Sequence, residues 1–284
     1  MSSVVAELAE QTASNLSGLG HHDSFFGHRQ HLTALALAGV GAESGLRLCV
    51  LGAGNCNDLD LARLAEHYAE IHLVDIDVDA VRRAVERQDE AVRKKLRAHA
   101  PLDLSGLVDR LERWKAFQVT PDELIAHGEV TSQHVARALG APFDVVLSAC
   151  VLTQMQLMVV NVLGDTHRLF EAVRHTLTLT HLRTLAHLLS PGGRALLATD
   201  VTSDRIAALG TSSAEDDLMA LLVQLVAKGQ IFQVAHPEQL TRMTVDDPVL
   251  ARTISRPRSV GIWRWQNGPE HEFLVYAIEL LRLL

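Results

Sequence analysis

The chain has 284 residues, of which 48% are hydrophobic and 21% charged, and its formal net charge is -8. That length supports one large α/β domain with a substantial core, and that composition describes an ordered globular protein. The negative balance, with no dense run of Lys and Arg, disfavours a nucleic-acid substrate, and Cys49, Cys56 and Cys150, three widely spaced thiols without a CxxC pair, argue against a disulfide frame or a structural zinc site.

Residues 1–45 read as a helical cap. Val4, Val5, Leu8 and then Leu32, Leu35 and Leu37 are apolar at helical spacing, with a break around residues 17–23. The cap either roofs the mouth of the main domain (46–284) or simply covers one face. Glu7 and Glu10 interrupt its apolar residues, so it does not read as a signal peptide. No stretch approaches the ~20 apolar residues of a bilayer span. The expected location is the cytoplasm, with no membrane partner.

From residue 46 strand and helix alternate, the pattern of a parallel sheet with crossover helices. Strands are expected at 47–51, 70–76, 96–104, 143–148 and 194–200, the fourth apolar enough to be buried on both faces. Helices are expected at 58–68, 78–95, 107–117 and 121–127, the last with Thr120 as N-cap and Pro121 at its first position. A long helix over 166–189 ends at Ser190-Pro191-Gly192-Gly193. Residues 203–258 look irregular, with helical pattern at 214–227. Runs at 260–265 and 272–278, joined by a short connection, predict an antiparallel hairpin.

The chemistry starts at Gly52-Ala53-Gly54, directly after the first strand. Such a turn lets backbone approach a ligand, and a helix starting near Asp58 would aim free N–H groups at the same place. Asp75 ends the second strand about twenty residues later, where a carboxylate can accept both hydroxyls of a ribose; the alternative, an N-cap for the next helix, is a role Asp77 can fill. Asp103 falls at the end of the third strand, where it either accepts from an adenine amino group, with the next backbone N–H on the ring, or it or Ser105 caps the helix from 107.

With these residues in place, the sequence resembles the class I S-adenosylmethionine-dependent methyltransferases over about residues 46–284. Val50-Leu51-Gly52-Ala53-Gly54 matches the cofactor turn, Leu73-Val74-Asp75-Ile76-Asp77 the ribose acid, and Asp103-Leu104 the adenine edge. Residues 143–152 are similar to the family's fourth strand and 188–194 to its turn before the fifth. The resemblance implies a three-layer Rossmann-like sheet, mostly parallel with an antiparallel C-terminal strand. It also implies S-adenosyl-L-methionine as cofactor and S-adenosyl-L-homocysteine as product. Gly52, Ala53, Gly54, Asn57, Asp75, Ile76, Asp103, Leu104, Ser148 and Ala149 are the expected cofactor residues. Backbone near Gly52 and Ser148 would hold the methionine end, with Arg29 as a candidate for its carboxylate. Val50 stands where the family often has an acid and Cys56 where it often has a third glycine.

Methyl transfer needs mainly alignment of the nucleophile and exclusion of water, with a base only for some acceptors. The acceptor is expected over Cys150, Thr153 and Gln154, and His22, His28 and His167 are the candidate bases. His167, His175, His181 and His187 do not repeat an i, i+4 spacing, so no metal is expected. The absence of an Asn-Pro-Pro-Tyr run beyond the fourth strand counts against amino-directed nucleic-acid and glutamine enzymes. The expected partner is therefore a small-molecule methyl acceptor, modified at oxygen or nitrogen, and a homodimer is the one assembly considered. The rival readings are an NAD-dependent oxidoreductase and a non-catalytic binding or regulatory protein of the same fold.

Overall fold

The computed structural model describes residues 3–41, 45–117, 119–269 and 271–284; residues 1–2 and 42–44 of the expected cap and Glu270 of the expected hairpin turn lie outside the described residues. The chain opens with α1 (Ser3–Ser17) and α2 (Phe26–Leu37), joined by a 3-10 turn at Gly18–His21. Then come β1 (Arg47–Leu51), α3 (Leu61–His67), β2 (Glu70–Val74), α4 (Val78–Glu86), α5 (Glu90–Arg93), β3 (Leu96–His99), α6 (Leu111–Ala116) and α7 (Pro121–Ala138). The second half contains β4 (Phe143–Ala149), α8 (Val151–Leu163), α9 (Phe170–Leu188), β5 (Leu189–Ser203), α10 (Glu215–Ala227), α11 (Pro237–Asp246), α12 (Leu250–Thr253), β6 (Arg258–Gln266) and β7 (Glu272–Leu281).

The strands form one sheet in the order β3-β2-β1-β4-β5-β7-β6. β1 to β5 are parallel, and β7 runs antiparallel between β5 and β6. Period-two alternation along β1 divides the core: Cys49 and Leu51 face one apolar cluster with α6 to α9, Leu48 and Val50 the other with α2, α3 and α4. Leu32 and Ala36 of α2 are fully buried in that second cluster. The result is the three-layer α/β sheet with one antiparallel strand that the resemblance implied. Among the described residues no helix is long and apolar enough to cross a membrane.

Several element boundaries differ from expectation for identifiable reasons. Asp60, not Asp58, starts α3, its side chain accepting from the Arg63 N–H at 3.0 Å. The 78–95 helix breaks at residues 87–89, where Asp89 caps α5. The third strand ends at His99, before Pro101, and leaves Asp103 in a loop. α7 starts at the predicted N-cap Thr120 and Pro121, with Glu123 completing a capping box, but runs 18 residues, straight through Gly128. A Cβ at Gly128 would lie 2.3 Å from Thr180 Oγ1, so this glycine marks a close approach of α7 to α9, not a helix stop. α8 was missed: its run Val151–Leu163 is so uniformly apolar that helical periodicity is hidden.

Candidate functional site

The C-terminal ends of β1 to β5 surround a cavity of ≈ 670 Å³, large enough for a nucleoside and a second molecule. Its wall includes Gly52, Asp75, Ile76, Asp103, Leu104, Cys150, Thr153 and Gln154, eight of the residues singled out from sequence, together with Asp200 and Trp265, which were not. α1 supplies one side through Glu7, Leu8, Glu10, Gln11 and Ser14. It is clasped to the glycine turn: Asn15 Nδ2 donates to Asp77 Oδ2 at 2.9 Å, Asn57 Nδ2 donates to the Gly18 carbonyl at 3.0 Å, and Asn55 Nδ2 donates to the Asn15 carbonyl.

The turn itself is engaged internally. The N–H groups of Gly52 and Ala53 both donate to the Val74 carbonyl at 2.9 and 3.0 Å, and that of Gly54 donates to Asp75 Oδ2 at 2.8 Å. Gly52 has φ +77, and a Cβ there would lie 2.5 Å from Val151 Cβ, so the turn is shaped by contact with α8 as much as by a ligand. The helix start expected near Asp58 is displaced: α3 begins at Leu61, and Asp60 takes one of its first N–H groups, that of Arg63. Asp58 itself lies on the turn, partly open by surface area yet crowded by protein. Burial, and then the neighbouring Asp75, push its carboxyl up to about 7.

Asp75 Oδ1 accepts from the Asp77 N–H at 2.9 Å while Oδ2 takes Gly54, leaving a lone pair on each oxygen. Burial holds this carboxyl above the usual range, against the pull of those N–H donors. Asp77 caps α4 as the alternative reading allowed, accepting from the Ala80 N–H. Asp103 does some of both jobs. Its Oδ1 accepts from the Ser105 N–H and hydroxyl, its Oδ2 from the Val108 N–H at 3.1 Å, and one Oδ2 lone pair remains. The Leu104 N–H makes no hydrogen bond among the described residues.

On the far side, Cys150 takes a left-handed conformation (φ 51) between β4 and α8. The Thr153 hydroxyl reaches both the Cys150 carbonyl, at 3.1 Å, and Asp200 Oδ1, but has one proton to donate. Asp200, on β5, is pushed up to about 6 by burial, with the Thr153 hydrogen bond acting the other way. The only sequence signal for it was an acid ending the fifth expected strand. Trp265 was hidden in the hairpin, and its indole N–H is buried without an acceptor.

The remaining sequence candidates lie off the cavity wall. Ala53, Gly54 and Ala149 form backbone behind it, and the Ser148 hydroxyl pairs with His181 Nε2 at 2.8 Å. Asn57 and Arg29 are struts: Arg29 Nη1 donates to the Asn57 carbonyl at 2.7 Å, and Arg87 Nη1 to Asn57 Oδ1. Arg29 thus braces the turn from behind. None of the three candidate histidines faces the cavity. His28 accepts from Trp263 Nε1 on Nδ1 at 2.9 Å and stacks on Trp265, and burial lowers it to about 3, so it stays neutral with its Nε2 enclosed. His22 lies beside Arg29, and His167 accepts the Leu169 N–H. No group of three or more metal-ligating side chains is present among the described residues.

Sheet order, the single antiparallel strand and a cleft at the C-terminal ends of the strands define the class I methyltransferase fold. No family model and no curated protein matches the chain. Among solved structures it is similar to the YcgJ protein of Bacillus subtilis, with 11% identity and TM-score 0.47, covering 90% of this chain and 99% of that one. It is also similar to the N-methyltransferase NodS of Bradyrhizobium japonicum in complex with S-adenosyl-L-homocysteine (14%, TM-score 0.39, 90% and 85% covered). A third is the O-methyltransferase TomG of Streptomyces achromogenes in complex with SAM (13%, TM-score 0.39, 88% and 78% covered). At these values the likeness is one of chain path, and the site is read from its own geometry.

Proposed function

We propose that the protein is an S-adenosylmethionine-dependent methyltransferase acting at nitrogen or oxygen of a small or medium-sized molecule. The observation that carries this reading is the state of the glycine turn. A dinucleotide needs free N–H groups for its pyrophosphate, at the turn and at the following helix N-terminus. Here the N–H groups of Gly52, Ala53 and Gly54 are engaged by Val74 and Asp75, and Asp60 caps α3. What stays available suits an adenosine without phosphates: a lone pair on each Asp75 oxygen, one on Asp103 Oδ2, and the Leu104 N–H. The cavity wall carries six carboxylates and one guanidinium, Arg174, which is itself bound to Glu171, so it favours a sulfonium cation over a diphosphate.

The donor set therefore fits S-adenosylmethionine, with Asp75 for the ribose, Asp103 and Leu104 for the adenine, and the turn at Gly52 beside the methionine end. When bound, that cofactor supplies an electrophilic methyl group. The chain's own contribution is to fix the acceptor against α8 and to keep water out, with α1 as one wall of the cavity.

Thermal shift with S-adenosylmethionine, S-adenosylhomocysteine and NAD in parallel tests the assignment. A ligand at a hundredfold excess over its Kd stabilises a native state by ~2.7 kcal/mol. Both sulfur nucleotides are expected to raise the melting temperature and NAD to leave it unchanged. Asp75→Ala should lose the shift while keeping the native circular dichroism spectrum. A response to NAD alone refutes the reading.

A further inference from the structure

The cavity wall also holds an acid that the fold does not neutralise. Asp200 is 8% exposed and lines the cavity. Its Oδ1 accepts from the Thr153 hydroxyl; its Oδ2 has no hydrogen-bond partner and is not among the side-chain atoms sealed from the surface, so it opens on the cavity. No basic side chain pairs with Asp200 among the described residues, and the basic residue on this wall, Arg174, is held by Glu171 at 2.6 Å. Met155, Ile231, Phe232, Val234 and Phe273 make the surroundings apolar. A nearly buried carboxylate without a counter-charge is unfavourable, and its missing partner has to arrive with a ligand.

That partner is defined by chemistry. It carries positive charge and an N–H donor on an apolar body, which describes an amine. A neutral hydroxyl would donate one hydrogen bond and leave the negative charge uncompensated. We propose that Asp200, positioned by Thr153, anchors the amino group of an apolar amine acceptor and takes the proton that this amine must lose before its nitrogen can attack. The proposal deepens the methyl-transfer reading and rests on it. In the proton step one N–H bond of the ammonium breaks, its electron pair stays on nitrogen, and the proton passes to the free oxygen of Asp200. Two charges become a neutral pair, which an apolar cavity favours. Once Asp200 is neutral, the Thr153 hydroxyl can turn to the Cys150 carbonyl, so the spare proton acceptor already exists.

The test is isothermal titration calorimetry at pH 8 on protein saturated with S-adenosylhomocysteine. Phenethylamine, tryptamine and octylamine are each compared with the alcohol of the same carbon frame, on the wild type and on Asp200→Asn. At least one amine is expected to bind about tenfold to a hundredfold tighter than its alcohol, as a charge-assisted hydrogen bond should give. Asp200→Asn should abolish that preference and leave S-adenosylhomocysteine affinity unchanged. Absence of any amine preference, or its survival in Asp200→Asn, overturns the proposal. Should that variant fail to fold, Thr153→Val in the same titration is expected to reduce the preference several-fold, and an unchanged preference overturns the positioning role. Failure of S-adenosylhomocysteine to bind the wild type removes the methyl-transfer reading itself, and is scored separately.

Discussion

Asp200→Asn makes a prediction about stability that is independent of any ligand. Burial raises the Asp200 carboxyl from an ordinary 3.8 to about 6. A group whose folded value lies above its unfolded one contributes stability that is complete below the unfolded value and is lost as pH rises through the folded one. At 1.36 kcal/mol per unit, the wild type carries a penalty of about 3 kcal/mol at pH 8, falling to about 1 kcal/mol at pH 4.5. Asparagine has nearly the same shape, still accepts from Thr153, and does not titrate. The variant should therefore be more stable than the wild type at pH 8 by about 3 kcal/mol, or ~5 °C in Tm for a chain of this size. Urea denaturation at pH 8, 6 and 4.5 reads the difference, with the slope m unchanged. Any fixed offset from local repacking of the amide shifts all three points equally, so the pH dependence is the diagnostic. A difference flat between pH 4.5 and 8, or one that grows toward acid, refutes the argument.

Two further predictions concern the turn and the thiols. Gly52→Ala should destabilise by about 3 kcal/mol or more, since it combines a left-handed backbone with a collision against the Val151 Cβ at 2.5 Å; Gly54→Ala, with φ +46 and only Asn15 Oδ1 at 3.4 Å, should cost about 1–2 kcal/mol. Equal urea midpoints for the two variants would remove the close-approach account of Gly52. Cys49, Cys56 and Cys150 are all buried, and desolvation pushes each thiol above its ordinary value. None should react with N-ethylmaleimide at pH 7.5 in the native protein, and all three should react in urea; prompt native labelling of Cys150 would show that the cavity wall opens.

The parallel sheet was legible because most of its strands are short apolar runs and α3, α4, α5 and α7 begin at a capping acid or hydroxyl. β1 matches its expected bounds, and the Thr120–Glu123 box marks the start of α7. Three kinds of information were out of reach. α8 is apolar on too many faces for its period to show. Gly128 looks like a stop until Thr180 is known to lie against it, a contact between residues far apart in sequence. The side-chain roles of Arg29, Asn57, Ser148 and the three candidate histidines depended on direction: a residue can sit beside a cleft in sequence terms and point behind it, as Ser148 does toward His181. Asp75 was readable because it directly follows β2, where the end of a parallel strand fixes position and direction together; Asp103 reaches the same wall from the loop beyond β3.

The departures from the family pattern acquire a physical meaning in the backbone. Cys56, at the place of a third glycine, has φ 51, so the left-handed conformation that glycine would supply is kept without the glycine. Cys150 has the same φ at the end of β4, and these are the two non-glycine residues with positive φ among those described. Such conformations cost of order 1 kcal/mol or more and persist where neighbouring structure over-determines them. Here the constraints are visible. The Cys56 N–H donates to the Ala53 carbonyl at 2.7 Å, and the Cys150 N–H donates to the Ala198 carbonyl at 3.0 Å. Both side chains are at most 5% exposed, which fills core space that a glycine would leave empty. Cys56 lies on the turn after β1, two residues before Asp58, and Cys150 follows β4 on the cavity wall, its carbonyl accepting from the Thr153 hydroxyl. Burial at Cys56 and Cys150 therefore offsets the backbone strain at two places, the glycine turn proposed to hold a nucleoside and the end of β4 beside the Asp200 carboxylate.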